Sequence, residues 1–210
     1  MNLFAVIPVK PFAEGKSRLK EILSDHQRSD LNLQMFDHVL SITAATIGPA
    51  NTIVVSPEQT ALEMARNTGA IAVREETRAG LNSALILGAA TAQSTGADAL
   101  LILPTDLPTL SQSDLEAILN AAGHSPFVVI APDRLKQGTN ALLMSPLGII
   151  GFSFGKNSFS VHRETASAAQ IEPVIVHRDG LAFDIDMPED YRQLKALQLK
   201  GGENKKFVGE

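Results

Sequence analysis

The chain has 210 residues, long enough for one large domain with a full core, and 44% of them are hydrophobic. It carries 18 basic and 23 acidic side chains, a net charge of −5, which counts against general binding to nucleic acid or to an anionic membrane. It has no cysteine, so disulfides, thiolate catalysis and zinc–thiolate centres are excluded.

No apolar run approaches the ~18 residues of a membrane span. The apolar start lacks a basic leader and stops at Pro8. The expectation is a cytoplasmic protein with no membrane partner.

In chain order, Leu3 to Ile7 is a continuous apolar run, too short for a helix, and predicts a central buried strand. A basic loop, Lys10 to Lys20, follows. Ser29 or Asp30 is the expected cap of a helix carrying Leu31, Met35, Phe36, Val39 and Leu40 at helical spacing. Thr52 to Val55 predicts a strand, Glu58 to Asn67 a helix, and Ala70 to Val73 a strand. Gly80 to Ser94 predicts a helix, Ala99 to Leu103 a strand, Ser111 to about Ala122 a helix, and Phe127 to Ile130 a strand. Strand–helix alternation of this kind predicts an α/β three-layer sandwich with a mostly parallel sheet. The regularity then stops. Asn140 to Met144, Pro173 to His177 and Leu181 to Ile185 read as strands, and Ser158 to Gln170 and Pro188 to Leu199 as helices. Residues 1–199 are expected to form one domain, with a flexible tail over 200–210.

Ligands of open α/β sheets bind beyond the carboxyl ends of the strands. The loop after the first strand, Lys10-Pro11-Phe12-Ala13-Glu14-Gly15-Lys16-Ser17-Arg18-Leu19, is basic in an acidic chain. Gly15 admits close backbone approach, and Lys16 and Arg18 can bind phosphate oxygens. The alternative is a solvated basic loop. Asp106, in Pro104-Thr105-Asp106-Leu107-Pro108, ends an apolar strand, where a carboxylate needs a cation or donors. It reads as a Mg²⁺ ligand or as a turn aspartate. Asp184 and Asp186 alternate in an extended segment, and either could supply a second ligand. Pro188-Glu189-Asp190 has the composition of a helix start, for which Asp186 could instead be the cap. Asn82 and Ser83 open a helix, where they could touch a nucleoside or serve as caps. Gly155-Lys156-Asn157-Ser158 precedes another helix, an arrangement suited to anions. His162 lies one turn further on, with a structural reading as its alternative. His26, His38, His124 and His177 form no metal-ligand pattern.

Taken together, these motifs resemble the CofC/FbiD family of 2-phospho-L-lactate or phosphoenolpyruvate guanylyltransferases of coenzyme F-420 biosynthesis. The carriers are Ile7-Pro8-Val9-Lys10, Lys16-Ser17-Arg18-Leu19, Leu81-Asn82-Ser83-Ala84-Leu85, Pro104 to Pro108, Gly138-Thr139-Asn140-Ala141-Leu142, Phe154-Gly155 with Ser158 and His162, and Asp184-Ile185-Asp186 with Pro188-Glu189-Asp190. Met187 departs from the threonine common in related families. The resemblance implies a GT-A-like nucleotidyltransferase fold and transfer of GMP from GTP to a phosphorylated three-carbon acid. It implies Mg²⁺ on Asp106 with Asp186 or Asp184, and acceptor binding by Thr139, Gly155 and Ser158. Lys10, Lys16 and Arg18 are assigned to the triphosphate and Asn82 and Ser83 to the guanosine, with Lys16, Arg18 and Asp106 acting on the reacting groups. A homodimer is compatible with this reading. The rivals are a related nucleotidyltransferase with another nucleotide or acceptor, such as 3-phosphoglycerate or a molybdopterin-type cofactor, and a non-catalytic nucleotide-binding module.

Overall fold

The apolar runs become neighbours in one seven-stranded sheet. The computed structural model describes residues 1–77 and 79–200. Its strands are β1 (Leu3–Pro8), β2 (Thr52–Ser56), β3 (Ile71–Arg74), β4 (Ala99–Ile102), β5 (Phe127–Pro132), β6 (Thr139–Ser145) and β7 (Val174–Ile175). Their order is β3-β2-β1-β4-β6-β5-β7. β1 pairs parallel with β2 and β4, β2 with β3, and β5 with β7. β6 is antiparallel to both of its neighbours.

Helices α1 (Asp25–Ile47), α2 (Gln59–Thr68), α3 (Leu81–Ser94), α4 (Gln112–Asn120), α5 (Ser158–Ala168), α6 (Asp179–Ala182) and α7 (Pro188–Lys200) complete the fold. The inner strands are mostly apolar because both faces are covered, while β3 and β7 are partly exposed. Ala5 and Ile7 of β1 enter a cluster with Phe36 and Leu40 of α1, Ala61 of α2 and Leu115 of α4. Phe4 and Val6 point the other way, to Leu85 of α3 and Phe159 of α5. These are the three layers expected from the sequence, with a mostly parallel sheet between them.

A third cluster sits apart from the sheet. Leu19 of the basic loop, Leu23 just after it, Leu31 and Met35 of α1, Phe183, Ile185, and Leu194 of α7 pack together, with Tyr191 against them.

Two expectations are corrected. Helix α1 begins at Asp25, not after Ser29 or Asp30. Ser24 caps it, accepting from the Gln27 N–H while the Gln27 side chain accepts from the Ser24 N–H. The segment from Leu181 to Ile185 is not a strand. Its first residues belong to α6, and its alternating Leu181, Phe183 and Ile185 bury themselves without any sheet partner. Residues 201–210 of the expected tail lie outside the described residues. Among the described residues no helix is long and apolar enough to cross a membrane.

Candidate active site

Strand direction decides where the polar groups gather. β1 and β4 are parallel neighbours, so the loops after Pro8 and after Ile102 leave the same edge of the sheet. β6 runs the other way, with Leu142 opposite Ile102, so its first residues, Thr139 and Asn140, arrive at that edge too. A cavity of about 520 Å³ opens there. Lys10, Lys16, Arg18, Asp106 and Asp186 line it, as do Gly80 and Leu81 at the start of α3.

The basic loop is held open by α1. The Asn32 amide donates to the Phe12 carbonyl at 2.7 Å, and Arg28 donates to the Gly15 carbonyl at 3.0 Å. A Cβ on Gly15 would lie 2.4 Å from Asn32 Nδ2, so any other residue here would displace the amide that holds the Phe12 carbonyl. The next residue, Lys16, takes left-handed angles, φ 56° and ψ 39°. Such a conformation costs a non-glycine residue roughly 1–2 kcal/mol. It directs the Lys16 ammonium to Asp106 at 2.7 Å and Asp186 at 3.3 Å. Burial opposes the charge of Lys16, but the attraction of Asp106 and then Asp186 outweighs it and holds the pKa above the ordinary lysine value. Arg18 adds a longer contact to Asp186, at 3.5 Å.

Three carboxylates converge. Asp106, Asp184 and Asp186 each offer one oxygen, all within 4.8 Å of one another. The Ile185 N–H donates to the Asp106 carbonyl and splices the two acidic segments together. Burial, then repulsion from Asp106, pushes the Asp184 carboxyl up to about 6. Asn140 donates to Asp184 at 3.3 Å and to the Leu181 carbonyl at 2.9 Å. The final acid, Asp190, faces away from the cluster. It accepts from the Asp186 and Met187 N–H groups and pairs with Arg134, closing the first turn of α7. Burial opposes its charge, but those two N–H groups and then Arg134 hold its carboxyl below the ordinary value.

The remaining expected residues form a second group beside the cavity. Thr139, Gly155 and Ser158 do not line it, but they sit together. The Thr139 N–H donates to Ser158 Oγ at 2.9 Å, and the Ser158 N–H donates to the Gly155 carbonyl. Thr139 and Ser158 are almost fully buried under the exposed turn at Gly155. Asn82 does not line the cavity either. Its amide grips the backbone of Phe154 at both ends, donating to the carbonyl at 3.2 Å and accepting from the N–H at 3.0 Å. Ser83 sits beside it on the first turn of α3, with a 3.4 Å contact to the Ala79 carbonyl.

Several residues of this site were not singled out from the sequence: Asn140, Arg28 and Asn32. Asn140 had a signal, since it follows Gly138-Thr139 at a strand start. Arg28 and Asn32 had none, because their spacing within α1 says nothing of a loop 13 to 20 residues upstream.

Comparison with known proteins agrees with this architecture. Residues 3–208 match the family model described as "Guanylyl transferase CofC like". A Rubrobacter xylanophilus protein named phosphoenolpyruvate guanylyltransferase is 43% identical over 93% of this chain and 95% of its own length. A protein of the same name from Sphaerobacter thermophilus is 38% identical over 92% and 93%. A Colwellia psychrerythraea protein named 3-phospho-D-glycerate guanylyltransferase is 32% identical over 94% and 93%. Among solved structures, a cytidylyltransferase from Leptospira borgpetersenii superposes with a TM-score of 0.62 at 14% identity, covering 93% of this chain and 86% of that one. The CMP:2-keto-3-deoxy-manno-octonic acid synthetase complexed with CTP gives 0.61 at 14% identity, over 95% and 99%. These last two share the fold. The match along nearly the whole chain, at up to 43% identity, places it in the CofC-like guanylyltransferase family.

Proposed function

We propose that this chain joins GMP from GTP to phosphoenolpyruvate and releases pyrophosphate, a step in making coenzyme F-420. The observation that carries the reading is the meeting of three carboxylates with Lys16 and Arg18 at the carboxyl edge of β1 and β4. The names of the relatives add the nucleotide and the acceptor.

The donor set fits a hard divalent cation, since it is all carboxylate oxygen, and burial together with the repulsion of Asp106 leaves Asp184 short of positive charge. Asp106, Asp184 and Asp186 would hold Mg²⁺, which when bound offsets negative charge on the transferring phosphoryl group. Lys10, Lys16 and Arg18 bind the triphosphate, whose β- and γ-phosphates leave together as pyrophosphate while the α-phosphate passes to the acceptor. The start of α3, with Asn82 and Ser83, lies on the side of the guanosine. Thr139, Gly155 and Ser158 hold the acceptor. An acceptor phosphate oxygen attacks the α-phosphorus of GTP. A P–O bond forms there as the bond to the pyrophosphate oxygen breaks. The acceptor phosphate is ionised near neutral pH, its second pKa being ~6, so no side chain need remove a proton. What the chain's own residues supply is charge and alignment.

A second acceptor, 3-phospho-D-glycerate, is favoured by one relative's name. It too offers a phosphate and a carboxylate. The test is pyrophosphate release from GTP, ATP, CTP and UTP against phosphoenolpyruvate, 2-phospho-L-lactate and 3-phospho-D-glycerate, with mass spectrometry of the product. We expect GTP with phosphoenolpyruvate to give the highest kcat/KM. Preference for another nucleotide, or no product with any of these acceptors, overturns the reading.

A further inference from the structure

We infer that His162 is a positioning residue for the acceptor: its imidazole donates from Nδ1 to Thr139 Oγ1 and thereby frees the Thr139 hydroxyl proton for the acceptor's anionic oxygens. The inference rests on the reading that Thr139 touches the acceptor.

The direction of each bond follows from the partners. The ring is fully buried. The Ser153 N–H donates to Nε2 at 3.1 Å, and a backbone N–H can only donate, so Nε2 carries no proton. Burial pushes the His162 pKa down to about 4, so the ring is neutral near pH ~7. Its single proton therefore sits on Nδ1, 2.9 Å from Thr139 Oγ1. The threonine oxygen accepts there, and its own proton finds no acceptor among the described residues. Ser158 is placed in the same way. Its Oγ accepts from the Thr139 N–H, and its proton too finds no acceptor among the described residues. Two neighbouring buried hydroxyls thus keep protons that protein groups do not use, and an anion is the ligand that matches such a pair.

His162 also packs edge-on against Phe154, with ring centroids 4.9 Å apart. Phe154 is the residue whose backbone Asn82 grips from α3. A purely structural role would brace this segment and nothing more. Two variants separate the roles. In H162Q the amide reaches the Nε2 position and can accept from Ser153, but no donor remains for Thr139. In H162N the amide lies near the Nδ1 position and can donate to Thr139, while the Ser153 bond is lost.

With Mg²⁺, GTP and phosphoenolpyruvate, H162Q is expected to raise the acceptor KM about tenfold while the GTP KM stays within about twofold. H162N is expected to recover most of that loss, although its Tm falls as far. Acceptor KM values that follow Tm in both variants, or rise equally, overturn the inference. T139V supplies the reference. If it leaves the acceptor KM unchanged, the placement of the acceptor fails whatever His162 does. If it raises the KM and H162Q does not, only the role of His162 fails. Where neither His162 variant folds, long-range ¹H–¹⁵N spectra of the wild-type imidazoles decide. The assigned His162 ring must be the neutral Nδ1-protonated tautomer near pH ~7. A proton on Nε2, or on both nitrogens, overturns the inference.

Discussion

The ammonium of Lys16 lies 2.7 Å from Asp106 and 3.3 Å from Asp186, where a cation bound by the three carboxylates would compete with it. In the protein alone, Lys16 is the counterion that makes three crowded carboxylates tolerable. On the proposed function, with Mg²⁺ and GTP bound, its charge would be better placed on the triphosphate, and its flexible stem allows the move. This gives K16M a double signature. GTP efficiency should fall about a hundredfold, as one charge-assisted contact worth ~1.5–3 kcal/mol is lost. Mg²⁺ binding without nucleotide should tighten about tenfold, because a unit positive charge within ~4 Å of the ligands costs roughly 1–4 kcal/mol of repulsion. Isothermal titration with Mg²⁺ reads the second effect directly. An unchanged or weaker metal affinity would mean that Lys16 and the metal do not share these carboxylates. The residue types themselves were legible in the sequence: Lys16, Arg18, Asp106 and Asp186 do meet in one cavity. The task of Asn140 does not show in its motif, because only the reversed direction of β6 brings it to Asp184. Asp190 reads correctly as a helix-start acid, and the structure keeps it there.

At the scale of elements, the inner strands were readable because burial on both faces makes each of them a mostly apolar run. The start of α1 was not. Its first turn is Asp25-His26-Gln27-Arg28, and helical periodicity of apolar residues begins only at Leu31, although Ser24 and Gln27 already form a capping box. Leu181, Phe183 and Ile185 alternate like a strand because they alternate in burial, but Leu181 enters the main core from α6 and Phe183 and Ile185 enter the third cluster, with no neighbouring strand. Composition was a poor guide to α3 in one respect. Gly88 sits in the middle of this helix, where propensity alone says alanine should stabilise by about 1 kcal/mol. Packing reverses the sign. A Cβ there would lie 2.5 Å from Val6 Cγ1, 3.0 Å from Val6 Cγ2 and 3.1 Å from Val55 Cγ2. Both valines are fully buried β-branched residues of β1 and β2, with little freedom to turn away. G88A should therefore destabilise by about 1–3 kcal/mol through overpacking. Because α3 opens at Gly80 and Leu81 on the cavity, its displacement should also raise the GTP KM. Chemical denaturation checks the first effect. A more stable G88A would show that α3 packs against the sheet less closely than described.

Across the whole molecule, the site is assembled from segments nearly as far apart in the chain as its length allows: the loop after β1 and the acids before α7. The sheet alone does not hold them together. The third cluster does, with Leu19 and Leu23 of the loop, Phe183 and Ile185 flanking Asp184, and Leu194 of α7 in one contact group. Leu194 is only 2% exposed, and it lies on a C-terminal helix that belongs to neither main core cluster. Truncation by L194A should cost about 2–5 kcal/mol where it acts. It should act locally, because α7 can loosen without disturbing the packed faces of β1 and β4. The expected pattern in hydrogen exchange is faster exchange over residues 16–23 and 183–200, with the amides of β1, β2 and β4 keeping their protection. The functional counterpart is a several-fold higher Mg²⁺ concentration for half-maximal activity, since Asp184 and Asp186 lose their fixed relation to Asp106. The Ile185–Asp106 backbone bond is the link that should report first, because it joins the two acidic segments without help from any metal. Uniform loss of protection over the entire chain would instead mean that α7 unfolds only with the sheet. In that case the third cluster would be a part of the main core, and the geometry of the carboxylates would not depend separately on the docking of α7.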